Sequence, residues 1–130
     1  MKSRENLLRL KHFQVEDKTR QLAQIDMMIA EFEKMNGDLQ AQIEVEEQKS
    51  GITDPDHFAY PTFAKAARQR QENLDGSIRD LKEKRVNAEA ALADAEEELK
   101  KAQRLEQRDG NSVSEEAVDE VAENRAMMIG

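Results

Sequence analysis

The sequence has no cysteine and no tryptophan, only two prolines, and aromatics at 4% of its 130 residues. Without cysteine there is no disulfide and no thiolate zinc site, which fits a reducing compartment. Large apolar side chains are also scarce: 38% of residues are hydrophobic, against 37% charged. A globular core needs more. Two classes remain, a disordered chain or long helices with a narrow apolar seam, and periodicity decides between them. No apolar run approaches the ~20 residues that cross a bilayer. The opening MKSRENLLRLKH lacks the apolar stretch of a signal peptide. These absences predict a soluble, cytoplasmic protein.

Catalytic signatures are missing too. There is no GxxxxGK or GxGxxG phosphate loop, and His12 and His57 make no HExxH pair. No serine sits in a nucleophile elbow. The run DPDH at 54–57 has neither the ligand number nor the spacing of a calcium or zinc site and reads as a turn. The expectation is a protein that is not an enzyme and needs no cofactor or metal.

Charge is unevenly spread. Residues 1–20 carry six Lys/Arg against three Asp/Glu, and residues 21–61 carry two against nine. Residues 62–108 are nearly balanced, eleven against ten, and residues 109–130 carry one against six, for a net −8. A net acidic chain is a poor general nucleic-acid binder, because phosphate contacts need a basic surface. The basic N-terminal end is a local feature suited to an acidic partner.

Heptad periodicity selects the helical class. Counting in sevens from Leu8 gives Val15, Leu22, Ile29, Asn36 and Ile43. Three places after each come Lys11, Lys18, Ile25, Phe32, Leu39 and Glu46. Sustained spacing of three and four puts these side chains on one stripe of a coiled-coil helix, predicted over about 4–49. Asn36 in the stripe is expected to set register at some cost in stability. Gly37 beside it marks a soft point, about 1 kcal/mol worse than alanine. Met27, Met28 and Met35 lie near the seam as adaptable packing or contact surface.

A second ladder runs Ala67, Gln71, Leu74, Ile78, Leu81, Arg85, Ala88, Leu92, Ala95, Leu99, Ala102, Glu106. It predicts a helix over about 62–108, with Thr62 as N-cap and Gly110 as the stop. Between the ladders lies GITDPDHFAYPTF, which holds both prolines and the only tyrosine. Pro55 and Pro61 bar Asp54 and Tyr60 from helical conformation, so the chain reverses over 50–61. Phe58, Tyr60 and Phe63 are expected to plug the open end of the seam. Reversal there pairs positions whose numbers sum to about 110 and sets Leu8, Val15 and Leu22 against alanines. Alanines bury little area, so the end carrying the termini should be only marginally stable. The fold class is therefore all-α: an antiparallel coiled-coil hairpin over 1–109 and a flexible acidic tail over 110–130. In that tail DGNSVS reads as a linker, and Ser112 with Glu115 as a capping box for a short helix.

Three stretches resemble one family. KSRENLLRLKHFQVEDKTRQLAQID at 2–26, GITDPDHFAYPTFAKAA at 51–67 and the Ala-rich arm ending in ELKK at 98–101 are similar to flagellar export protein FliJ of the alphaproteobacterial type. The resemblance spans about residues 2–108. It implies a stalk-like coiled coil that binds and stimulates the ring of the export ATPase FliI. It also implies contacts with the export gate and export chaperones, at a cytoplasmic location peripheral to the inner-membrane export apparatus. By analogy with a stalk, the end bearing the termini enters the ring. Arg4, Arg9, Lys11, Lys18, Arg20, Lys100, Lys101 and Arg104 are then the partner-binding candidates. Self-association is expected to be weak or absent. Two other readings stand beside this one: a polymerase secondary-channel factor with Asp54 and Asp56 at the hairpin tip, and a generic coiled-coil scaffold or chaperone.

Overall fold

In a computed structural model the chain forms two α-helices, α1 (Lys2–Ser50) and α2 (Thr62–Ile129), joined by one turn. Side chains are described for residues 3–108. The stop expected at Gly110, the DGNSVS linker, the Ser112–Glu115 capping box and the flexible tail lie outside those described residues.

The result is an all-helical hairpin, and burial follows the two ladders. On α1, Ile29 and Ile43 are buried, while Leu8, Val15, Leu22, Phe32, Asn36 and Leu39 are half-buried. On α2, Ala67, Ile78, Leu81, Ala95 and Ala102 are buried, with Leu74, Ala88, Leu92 and Leu99 half-buried. Arg85 is the ladder residue that stays exposed. The expected register also holds. Lys11–Glu98, Arg85–Asp26 and Asn36–Asp75 are all cross-helix pairs whose numbers sum close to 110.

The chain divides into two compact units. The hinge unit, Arg20–Ala90, holds most of the core: Ile29, Ile43, Tyr60, Ala64, Ala67, Ile78 and Leu81. Ile43 alone is a large side chain with no exposure. The terminal unit joins Met1–Thr19 to Ala91–Gly130, and its buried described residues are the alanines Ala95 and Ala102. Burying a methyl contributes far less than burying a leucine side chain. The thin seam expected at this end is what the burial shows.

Asn36 acts as the expected polar rung. Its Nδ2 donates to Asp75 Oδ1 at 2.7 Å, and its backbone carbonyl accepts from Gln71 Nε2 at 3.3 Å. Gln71 Nε2 also donates to Gln40 Oε1 at 3.0 Å. A slipped register would separate these partners, so the rung opposes slippage.

α1 ends at Ser50, within a residue of the end expected near 49, and the turn differs from expectation in three details. First, the stop is a glycine cap rather than Pro55. Gly51 adopts φ 71°, a left-handed conformation that favours glycine, and its N–H donates back to Glu47 O at 2.9 Å. Second, the carbonyl of Pro61 accepts the first bond of α2, from Lys65 N at 3.0 Å. Pro61 therefore occupies the cap position expected for Thr62, which is the first helical residue. Third, of the three aromatics expected to plug the seam only Tyr60 does so. Phe58 is 96% exposed and stacked on His57, and Phe63 is 57% exposed. The ladder in fact runs two steps further back than expected, through Ala64 to Tyr60, at the same alternation of four and three.

Gly37 and Gly76 both lie inside helices, and a Cβ added at either would meet nothing within 4 Å. Each glycine costs about 1 kcal/mol relative to alanine in a helix interior. Gly37→Ala and Gly76→Ala should each stabilise the hairpin by about that amount and raise the thermal midpoint by several degrees. Circular-dichroism melts of the two variants check this, and a lowered midpoint in either contradicts the open space described here.

Candidate partner-binding surface

The hinge is held by a three-residue latch built from three elements. Glu47 comes from the last turn of α1, Tyr60 from the turn and Arg68 from the second turn of α2. The Tyr60 hydroxyl donates to Glu47 Oε1 at 2.8 Å, Arg68 Nε donates to the Tyr60 oxygen at 2.9 Å, and Arg68 Nη2 donates to Glu47 Oε1 at 2.6 Å. The guanidinium carbon lies 6.0 Å from the Tyr60 ring centre. Hydrogen bonds from Arg68 and then Tyr60 hold the Glu47 carboxyl below its ordinary pKa. Bonds to Tyr60 and then Glu47 raise that of Arg68.

The tip is equally ordered. His57 N donates to Asp54 O at 3.1 Å and Tyr60 N to His57 O at 3.0 Å. Asp56 N donates to Asp54 Oδ1 at 3.0 Å, and Ala59 N donates to His57 Nδ1 at 3.0 Å. Asp54 thus serves the turn itself, as Asp residues do in Asx turns. Among the described residues no group of three or more His, Cys, Asp or Glu could hold a metal ion. Among the described residues no helix is long and apolar enough to cross a membrane.

The eight basic candidates are placed differently from one another. Arg4 and Arg9 are exposed on the terminal unit's part of α1. Lys11 is half-buried, and its Nζ donates to Glu98 Oε2, a bond that lowers the Glu98 pKa. A partner carboxylate has to compete with Glu98 for it. Lys18 is half-buried beside a shallow groove lined by Phe13, Asp94 and Glu98. Arg20 falls in the hinge unit and is exposed. Lys100, Lys101 and Arg104 are exposed on the terminal unit's part of α2.

Two features were not anticipated. Arg108 continues the basic side of α2: Lys101, Arg104 and Arg108 lie three and four residues apart around exposed Leu105, and all four border one open groove. On α1, Leu7, Leu10 and Phe13 are exposed near the basic residues. Spacing alone would have found Arg108, but the exposed apolar trio lies off the heptad stripe and carries no ladder signal.

Comparison of the chain with protein-family models, curated proteins and solved structures gives no match.

The latch gives a pH prediction. A carboxyl whose folded-state pKa is depressed contributes stability that is complete above its unfolded pKa, about 4.3, and lost as pH falls through the folded value. Wild-type stability should therefore drop as pH falls below about 4.3. Glu47→Gln should be less stable than wild type at neutral pH, with the difference shrinking in acid. Urea denaturation at neutral and acidic pH measures this, and a constant difference between the two proteins contradicts the latch.

Proposed function

We propose that this chain is a non-enzymatic coiled-coil component of a flagellar-type protein export apparatus. It acts as a stalk that binds and stimulates the export ATPase ring and assists contacts with the export gate and export chaperones. It works in the cytoplasm, peripheral to the inner membrane. The reading starts from the resemblance at 2–26, 51–67 and 98–101. The observation that carries it furthest is the surface of the terminal unit. On a chain of net charge −8, this unit presents Arg9, Lys101, Arg104 and Arg108 with exposed Leu7, Leu10 and Leu105. Basic side chains around apolar ones suit an acidic ring lining with apolar pockets, where the charges steer docking and the apolar residues anchor it.

The mechanism is mechanical and electrostatic. The helical shaft docks in the ring, biases subunit association, and couples nucleotide state to its own position. No bond is made or broken on the hairpin itself.

The experiment is the ATPase rate of the export ATPase with and without this protein. The wild-type chain should stimulate it. Arg9→Glu combined with Arg104→Glu should weaken the apparent affinity about tenfold or more, equivalent to about 1.4 kcal/mol. Both residues are exposed, so helicity should not change. No stimulation by the wild type, or stimulation indifferent to both reversals, contradicts the proposal.

A further inference from the structure

The two flanks of the hinge unit are chemically different. One carries cross-helix ion pairs: Arg85 Nε to Asp26 at 2.8 Å, Lys82 to Glu33 at 3.9 Å and Arg68 to Glu47 at 2.6 Å. The acidic partners sit on α1 four residues after the ladder positions Leu22, Ile29 and Ile43. The other flank begins one residue before each ladder position, at Met28, Met35 and Gln42. Here a groove of about 410 Å³ runs between Met35 and Leu39 on α1 and Leu74 on α2. It shares Gln42 with a second groove bordered by Val45 and Phe63. Met28, Met35, Val45 and Phe63 are each between 44% and 57% exposed. Methionine side chains suit an adaptable contact surface.

The charges on this flank point to its occupant. The larger groove is bordered by one carboxylate, Asp38, and one guanidinium, Arg70. Neither side chain makes a hydrogen bond or ion pair among the described residues. Residues 21–61, around Asp38, carry two Lys/Arg against nine Asp/Glu, whereas residues 62–90, around Arg70, carry seven against five. A uniformly acidic partner would oppose Asp38, and a uniformly basic one would oppose Arg70. A two-fold contact between identical surfaces brings residue i against j and j against i. It sets Arg70 of each copy against Asp38 of the other, which is complementary at both ends. It also covers the open side of a seam in which Ile43 is the single large side chain wholly buried. Two hairpins so joined form a four-helix arrangement with apolar residues inside.

We propose that the Met35–Leu74 flank of the hinge unit is the contact surface of a homodimer, paired across a two-fold axis through Asp38 and Arg70. The inference stands on this surface alone and does not rest on the export reading.

The test is sedimentation equilibrium of the purified full chain over a wide concentration range, with circular dichroism as the check on folding. Wild type should reach twice the 14.9 kDa chain mass. Arg70→Asp alone and Asp38→Arg alone should each weaken association tenfold or more, by setting like charges against each other. The two changes combined should restore it, because each new pair is again complementary. Met35→Asp should abolish the dimer while helicity stays unchanged. A wild type that is monomeric at every concentration overturns the proposal. So does a dimer that none of these substitutions weakens, or charge reversals that the double variant does not rescue.

Discussion

Everything in this hairpin depends on where the chain turns. Gly51 releases α1 through a positive φ, Pro61 supplies the carbonyl that starts α2, and the residues between are tied by their own backbone bonds. The latch of Glu47, Tyr60 and Arg68 then clamps the ends of both helices to the turn. Once that geometry is set, the pairing of α1 with α2 follows by counting. Asn36 meets Asp75 and Gln71, Asp26 meets Arg85, and Lys11 meets Glu98. A shift of the turn by one residue would scatter all of these partners and rotate the apolar stripe out of the seam.

The same arrangement leaves the molecule with little interior. Burial is concentrated in the hinge unit and dwindles to alanines in the terminal unit. Among the described residues many large apolar side chains, Met27, Met35, Phe58 and Phe63 among them, lie on the outside. The described surfaces differ from one another: ion pairs on one side of the hinge unit, methionines with Asp38 and Arg70 on the other, and a basic and apolar surface on the terminal unit.

Much of this was legible in the sequence, and the failures have physical reasons. The two ladders predicted the buried stripe nearly residue by residue, because heptad spacing reports directly on which side of a helix is covered. The register followed from the proline-rich break, since a short connection constrains both strands. Within the break the reading faltered. The prolines drew attention as helix breakers, yet the quieter Gly51 ends α1, because a left-handed cap acts before a proline is reached. Tyr60, Phe58 and Phe63 looked equivalent by composition. Only Tyr60 falls on the backward extension of the ladder through Ala64, and that extension was there to be counted. The latch was not legible, since it needs three side chains from three elements to converge. The exposed methionines were visible, but the groove that Met35 shares with Leu39 and Leu74 appears only when both helices are placed.

The most direct test of antiparallel pairing places spin labels at Arg9 and Gln103, both exposed and both in the terminal unit. Labelled protein is diluted into an excess of unlabelled chain, so that only distances within one molecule are read. Paired helices with axes about 10 Å apart predict a short, well-defined separation that survives dilution. A long or broad distribution, or a short distance that disappears on dilution, would show that the two helices do not fold back on one another within a single chain.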